Sequence, residues 1–228
     1  MHATDPMRAC QWPLNAEGIW LRISPASRAA ARPALFIDRD GVLVEEVNHL
    51  HRVEDVQVLE GAAQLIATAN RAGVPVAMVT NQSGIARGMY DWRAFAAVQT
   101  EIEARLAVAG AQLDAIAACP FHPDFTPGYG ANQAAWRKPG PAMVNRIAEA
   151  LGLDRSRSWL VGDTASDLGA ARNAGLAGAV IVMTGHGRHE RDSALALERP
   201  GFKVFAADDA HEAVRHLAPL FAASRAQP

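Results

Sequence analysis

Short apolar runs bounded by turn residues alternate along this chain with segments of helical periodicity. Runs of this length and composition predict buried strands, at residues 34–37, 74–79, 113–118, 159–161, 179–183 and 202–205. Apolar positions with the 3.6-residue period predict helices at residues 62–71, 92–107, 142–151, 166–173 and 210–217. Strands that alternate with helices predict an α/β fold, a parallel sheet covered by helices on both faces.

Glycines support these boundaries. Gly73, Gly152 and Gly175 each follow a predicted helix, where a left-handed residue would end it before the next strand. Residues 8–32 lack a helical period, although residues 19–23 could add an edge strand. We therefore expect one domain over residues 31–225, preceded by an N-terminal extension over residues 1–30.

Composition narrows the class of protein. Half of the residues are hydrophobic and the formal net charge is −2, which favours a soluble core and gives no attraction for nucleic acid. Residues 1–14 contain no apolar stretch of signal-peptide length, and no apolar run in the chain reaches the length of a membrane span. Cys10 and Cys119 are too few for a disulfide framework, so we expect a cytoplasmic protein with no membrane partner.

The strongest chemical signal is the end of the first predicted strand, where Asp38 and Asp40 precede Gly41. Ligands bind at this end of the strands in open α/β sheets. Two carboxylates there could hold a divalent cation, or could share the nucleophile and acid–base roles of covalent phosphoryl transfer. A strand-ending turn with solvated acids would contain the same residues. The glycine spacing does not fit a calcium-binding EF-hand loop.

Further polar residues follow three later strands. Thr80 and Asn81 could donate hydrogen bonds to phosphate oxygens, Arg137 and Lys138 could neutralise oxyanions, and Asp163 with Asp167 could complete a metal site. Alone, each would more often be an ordinary turn or solvated surface. Their order along successive strand ends is more specific than any one of them.

In this order the motifs closely resemble those of the haloacid dehalogenase (HAD) superfamily of phosphatases. The resemblance implies a HAD-type, Rossmann-like doubly wound parallel sheet. It also implies a phosphoric monoester hydrolase acting on a small phosphorylated metabolite. The matching residues are Asp38-Arg39-Asp40-Gly41-Val42, Thr80, Lys138 and Gly162-Asp163 with Asp167.

The same resemblance implies a role for each residue. Asp38 would form the aspartyl-phosphate and Asp40 would act as general acid and then base. Thr80 and Lys138 would hold the phosphoryl oxygens. Mg²⁺ would be bound by the Asp38 and Asp163 carboxylates and the main-chain carbonyl of Asp40, while Asp167 would orient its neighbours.

The spacing of the motifs leaves no room for a large cap domain, so loops must provide specificity. Residues 80–88 and 137–143 resemble the D-glycero-D-manno-heptose 1,7-bisphosphate phosphatases, whose close relatives are histidinol-phosphate phosphatases. In that group the counterpart of Arg137 contacts substrate, which suits a second phosphate. Asn81, Arg137 and His51 are the predicted substrate-binding residues, and His49 lies in the same loop as His51.

The chain departs from this group at the loop that commonly holds structural zinc. Cys119 remains, but Phe121, Ala134 and Trp136 stand where further ligands would be, and one thiolate cannot make a tetrahedral zinc site. We expect no zinc. Packing of the loop aromatics, Phe121, Phe125, Tyr129 and Trp136, is the predicted replacement.

Other functions would use some of the same residues. A histidinol-phosphate phosphatase or a phosphatase of broad specificity would use the same machinery. A receiver-type signalling domain would need a phosphoacceptor aspartate separate from the acid pair, whereas residues 74–79 are followed by Thr80. A non-catalytic phosphosugar-binding protein would not require Asp38 and Asp40 together.

Overall fold

The computed structural model describes residues 12–24 and 31–225, with a seven-stranded sheet at its centre. The strands are β1 (Trp20–Ile23), β2 (Leu35–Ile37), β3 (Val76–Asn81), β4 (Ala115–Cys119), β5 (Trp159–Gly162), β6 (Gly178–Val182) and β7 (Lys203–Ala207). Their order is β1-β4-β3-β2-β5-β6-β7, and all pairs are parallel except β1 with β4. The order reverses between β2 and β5, which is where such sheets bind ligands.

Helices cover both faces of this sheet. They are α1 (Ala62–Arg71), α2 (Trp92–Val108), α3 (Ala131–Trp136), α4 (Ala142–Leu151), α5 (Ala165–Asn173), α6 (Gly187–Leu195), α7 (Ala210–His216) and α8 (Ala218–Arg225). Short 3₁₀ turns lie at Val53–Asp55 and Arg155–Arg157. Between β2 and β3 the chain forms only one such turn and α1, so the prediction of a fold without a large cap is confirmed.

Successive residues of a strand point to opposite faces of the sheet, and each face has its own hydrophobic cluster. Leu35 and Ile37 belong to a cluster that includes buried residues of α1, α2 and α7, whereas Phe36 belongs to a cluster that includes α4 and α5. All three side chains are fully buried, as expected for a strand covered on both faces. Burial of each contributes roughly 1.5–3 kcal/mol, so the strand that precedes the acid pair is firmly held.

Several predictions about the chain's organisation are confirmed. Residues 20–23 form the edge strand β1, and Gly73, Gly152 and Gly175 all adopt positive φ. Since β1 pairs with β4, the described part of the predicted extension belongs to the same sheet. The division after residue 30 stays a prediction. In the described ranges, no helix has both the length and the apolar character needed to cross a bilayer.

Other details of the prediction were wrong. The strand predicted at residues 74–79 runs two residues further, so Thr80 and Asn81 lie within β3 and not in the turn after it. Helices α3, α6 and α8 were not predicted. Helix α6 buries only Gly187 and Ala194, and α3 buries none of its six residues, so neither has the apolar stripe that indicates a helix.

Candidate active site

Asp38 lies directly after β2, at the point where the strand order reverses. Its N–H donates to the Val161 carbonyl of β5 (3.0 Å), which continues the sheet by one residue. The N–H of Arg39 donates to Asp38 Oδ1 (2.7 Å). The main chain therefore fixes both the position and the orientation of this carboxylate.

Lys138 places a positive charge between two buried carboxylates. Its Nζ lies 2.7 Å from Asp38 Oδ1 and 2.5 Å from Asp167 Oδ1, and donates to the Val79 carbonyl at 3.1 Å. Burial lowers the pKa of Lys138, but the charges of Asp167 and Asp38 outweigh this effect and raise it, so the side chain stays protonated.

The side chain of Asn81 supports this lysine. Its Nδ2 donates to the Lys138 carbonyl (3.2 Å), and the Lys138 N–H donates to Asn81 Oδ1 (3.0 Å). Both ends of the amide are thus engaged with the main chain of Lys138. The predicted contact of Asn81 with substrate stays a prediction.

Three acids form a group with the spacing of a metal site. One oxygen each from Asp38, Asp163 and Asp167 lies within 4.8 Å of the others. Burial, and then the charge of Asp167, raise the pKa of Asp38 well above its ordinary value and that of Asp163 to about 7. Carboxylates crowded in this way favour a hard cation such as Mg²⁺, so the donor set fits the predicted metal.

Asp167 is held by the start of helix α5. Its Oδ2 accepts from both the N–H (2.9 Å) and the Oγ1 (2.7 Å) of Thr164, which caps the helix. Because its other oxygen meets Lys138, Asp167 has the contacts expected of a residue that orients its neighbours.

The loops after β2 and β6 meet at the acidic group. Gly41 and Gly185 have positive φ, and a Cβ on either would come within 2.3 Å or less of Asp163 Oδ2. The hydroxyl of Thr184 donates to the Gly41 carbonyl (2.6 Å), and the N–H of His186 donates to Asp163 Oδ2 (2.8 Å). Sequence analysis did not identify the loop at residues 184–187, because its position beside Asp163 depends on the pairing of β5 with β6.

Asp40 receives hydrogen bonds from two side chains that sequence analysis assigned no role. Arg39 Nε lies 3.1 Å from both Asp40 oxygens, Arg39 Nη2 donates to Oδ1 (3.0 Å), and Gln82 Nε2 donates to Oδ2 (2.9 Å). Thr80 Oγ1 accepts from Gln82 (2.7 Å) and lies 3.5 Å from Asp40 Oδ2. Thr80 is buried beside Asp40, and its role as a ligand of the phosphoryl group stays a prediction.

A cavity of about 190 Å³ opens beside Asp40. Its lining includes residues 81–83, at the end of β3 and just after it, together with Glu46, Asn48, His49 and His186. Asn48 and His49 have φ of 57° and 75°, a conformation unusual outside glycine and typical of functional loops. The cavity therefore has a polar wall suited to hydroxyl groups.

His49 lines this cavity, whereas His51 lies in a neighbouring surface groove. His51 Nδ1 is 2.8 Å from the His49 carbonyl, and its ring stacks on Tyr90 with centroids 5.6 Å apart. The predicted contact of His51 with substrate stays a prediction, and its visible role is to hold this loop.

Positive side chains gather at the loop that departs from the zinc-binding pattern. Arg87 Nη2 lies 3.1 Å from His122 Nε2, its guanidinium stacks on Phe125 at 4.1 Å, and Arg137 Nη1 donates to the Phe121 carbonyl at 3.0 Å. Burial lowers the pKa of His122, and the charges of Arg137 and Arg87 lower it further. In the described ranges, neither arginine has a carboxylate partner.

The loop aromatics only partly follow the prediction. Phe121 and Trp136 pack against the core, but Phe125 is 43% exposed and contacts Arg87 and His122 instead. Burial raises the pKa of the Cys119 thiol to about 11. The expected absence of zinc stays a prediction.

Comparison with known proteins identifies the family. A family model described as haloacid dehalogenase-like hydrolase matches residues 5–172, and a HAD-hydrolase-like model matches residues 135–212. The chain belongs to the haloacid dehalogenase-like hydrolases. The predicted membership of this superfamily is thereby confirmed.

Two similar relatives carry the same activity in their names. The D-glycero-β-D-manno-heptose-1,7-bisphosphate 7-phosphatase of Mesorhizobium japonicum is 36% identical over 88% of both chains. The D-glycero-D-manno-heptose-1,7-bisphosphate 7-phosphatase of Thermosynechococcus vestitus is 44% identical over 68% of this chain and 81% of its own. These relatives, named as phosphatases, confirm the predicted class of enzyme.

Solved structures share the fold. A HAD-like protein from Mesorhizobium loti superposes with a TM-score of 0.79 at 34% identity, covering 95% of this chain and all of its own. The D,D-heptose 1,7-bisphosphate phosphatase of B. bronchiseptica, complexed with magnesium and phosphate, superposes with a TM-score of 0.70 at 33% identity. The match covers 81% of this chain and 97% of that one. The predicted HAD-type fold is confirmed.

Proposed function

We propose that this protein is a magnesium-dependent phosphomonoesterase that acts through an aspartyl-phosphate on Asp38, with D-glycero-D-manno-heptose 1,7-bisphosphate as its substrate. The observation that carries the proposal is the buried Asp38–Lys138–Asp167 arrangement beside Asp163 and Asp40. The names of the relatives supply the substrate. A cytoplasmic location is part of the proposal and is checked by cell fractionation.

In the first step an Asp38 carboxylate oxygen attacks phosphorus and the bond from phosphorus to the sugar oxygen breaks. Asp40 donates a proton to that oxygen as it leaves. In the second step Asp40 removes a proton from water, the water oxygen attacks phosphorus, and inorganic phosphate leaves with Asp38 restored. Lys138 and Thr80 would stabilise the charge that develops on the phosphoryl oxygens.

Magnesium, when bound, would offset the repulsion between Asp38 and the phosphate dianion. The Asp38 and Asp163 carboxylates and the main-chain carbonyl of Asp40 would hold the ion. Lys138 neutralises part of the acidic group, because its ammonium contacts two of the three carboxylates.

Arg137 and Arg87 support a substrate with two phosphates. Arg137 directly precedes the catalytic lysine, and the guanidinium groups lie close enough to affect the same histidine. Neither forms an ion pair within the described residues, so both can donate to an added oxyanion.

The test is phosphate release with magnesium from a panel of both anomers of heptose 1,7-bisphosphate, histidinol phosphate and common sugar phosphates. We expect the highest kcat/KM for a heptose bisphosphate and loss of activity when a chelator removes the metal. A higher kcat/KM for histidinol phosphate would show that the proposed substrate is wrong and that the protein is a histidinol-phosphate phosphatase. Absence of turnover with every compound would indicate a phosphate-binding protein.

Arg137→Gln tests whether Arg137 binds the second phosphate group of the substrate. We expect KM for the bisphosphate to rise about 10–100-fold, the equivalent of one charge-assisted hydrogen bond, with little change for a sugar monophosphate. Arg146→Gln, on the exposed face of α4, is the matched control. Equal effects on both substrates would contradict the assignment.

A further inference from the structure

Arg39 lies between the two aspartates of the acid pair, and its side chain is fully buried. Its guanidinium contacts both oxygens of Asp40, lies 5.4 Å from the centre of the Phe95 ring, and donates to the Leu50 carbonyl at 3.4 Å. Burying a guanidinium costs free energy unless it is paired. Asp40 is the one carboxylate with which it forms an ion pair in the described ranges.

Gln82 forms a second, indirect connection from the guanidinium to Asp40, through Oδ2. Its Oε1 accepts from Arg39 Nη2 (3.0 Å) and from the Tyr90 hydroxyl (2.6 Å). Burial raises the pKa of Tyr90 to about 12, so its hydroxyl keeps the proton that it donates. Two donors on one amide oxygen fix the orientation of the amide, and its N–H₂ group must face Asp40 Oδ2 and Thr80.

We propose that Arg39 is a positioning residue for the acid–base carboxylate of Asp40, acting directly through its guanidinium fork and indirectly through Gln82. The inference rests on the proposed function, because it assumes that Asp40 protonates the leaving oxygen. Oδ1 of Asp40 accepts from Arg39 Nε and Nη2, and Oδ2 accepts from Arg39 Nε and Gln82 Nε2, so donors on both oxygens fix the orientation of the carboxylate.

The arrangement of Arg39 and Gln82 around Asp40, called the clamp below, would matter for proton transfer. A general acid contributes only when its oxygen lies within hydrogen-bond reach of the leaving group, and a misplacement of about 1 Å can cost about 10²-fold in rate. Asp40 borders the cavity with 17% of its side chain exposed, so it is open to rotation on that side. The fork and the glutamine amide together restrict this rotation.

Dependence on the leaving group separates this role from a structural one. An alkyl phosphate needs a proton on its leaving oxygen. The leaving group of 2,4-dinitrophenyl phosphate, the 2,4-dinitrophenolate anion, departs without one. For Arg39→Lys, which keeps the charge but loses the fork, we expect kcat/KM to fall about 10²-fold with the alkyl phosphate and by only a few-fold with the aryl phosphate. Because kcat/KM covers the steps through formation of the aspartyl-phosphate, later hydrolysis does not affect it.

Asp40→Asn in the same assay separates failure of this inference from failure of the proposed function. Suppose that Asp40→Asn lowers kcat/KM mainly for the alkyl phosphate, whereas Arg39→Lys lowers kcat/KM equally for both substrates. The positioning role of Arg39 is then wrong, and the acid–base role of Asp40 stands. If Asp40→Asn does not discriminate, Asp40 is not the acid, and both this inference and the acid–base step of the proposed mechanism are overturned. Arg146→Lys, on an exposed helix face, should leave both values unchanged.

Tyr90→Phe tests the same clamp without touching the buried charge. It removes one of the two donors that orient Gln82, so we expect the same selective loss for the alkyl phosphate at several-fold instead of about 10²-fold. Should Arg39→Lys fail to fold, as judged by circular dichroism, Tyr90→Phe decides the question. An equal loss for both substrates in Tyr90→Phe would overturn the clamp.

Discussion

Asp38 and Asp167 share the charge of Lys138, so removal of that charge leaves two buried carboxylates facing each other. For Lys138→Met we expect the free energy of unfolding to fall by about 3–5 kcal/mol near neutral pH, as for other broken buried ion pairs. Urea denaturation measures the loss. Arg146→Met breaks only an exposed pair with Glu149 and should change stability by no more than about 0.5 kcal/mol. Similar losses for both variants would contradict this role of Lys138.

Asp38→Asn should abolish most of the activity without lowering the stability of the fold. Turnover should fall by about 10³-fold or more, because the amide cannot act as the nucleophile. Burial and the charge of Asp167 disfavour the ionised form of Asp38 and raise its pKa, so the neutral amide should unfold at the same temperature or higher in chelator at about pH 8. Retained turnover would refute the nucleophile assignment.

At the scale of elements, the loops after β2 and β6 approach each other through two glycines. A Cβ at residue 185 would lie 2.2 Å from Asp163 Oδ2 and 2.7 Å from the Gly41 Cα. Gly185→Ala should therefore displace Asp163, and we expect an increase of about 10-fold or more in the magnesium concentration needed for half-maximal activity. Titration of phosphatase activity with magnesium measures this.

Gly201→Ala is the matched control for that substitution. Gly201 also has positive φ (+84°), but a Cβ there would meet nothing within 4 Å. Its replacement should cost about 1 kcal/mol of backbone strain without changing the magnesium requirement. An unchanged magnesium requirement in Gly185→Ala would show that the loop tolerates the side chain.

At the scale of the whole molecule, the acidic group couples folding to pH and to magnesium. Burial, and then the charge of Asp167, raise the pKa of Asp163 to about 7, whereas the unfolded chain loses this proton near its ordinary value of 3.8. The folded state therefore binds more protons between these values. Without metal, stability should fall as pH rises through this window.

Magnesium should offset this loss, because it binds the ionised carboxylates of the folded protein. We expect its effect on the melting temperature to be larger at about pH 8 than at about pH 5.5. Asp163→Asn should reduce the effect at both values. A melting temperature that magnesium raises equally at both pH values would argue against coupling through this carboxylate.

How much of this the sequence determined depends on the range of the interactions involved. The pattern of apolar runs determined the α/β fold, and α1 and α4 match their predicted bounds because each buries a continuous apolar stripe. Asp38, Thr80, Lys138 and Asp163 were found because each lies at or near the end of a buried strand or at the start of a helix. These are local signals, carried by neighbours in the chain.

Tertiary structure alone decided which residues surround those acids. Gln82 meets Arg39 across 43 positions of the chain, and Thr184 meets Gly41 across 143, because strand order brings their loops together. The buried charge of Arg39 is paired only once Asp40 and Gln82 fold around it. Periodicity cannot predict such contacts, since it records which face of an element is buried but not which loop lies opposite.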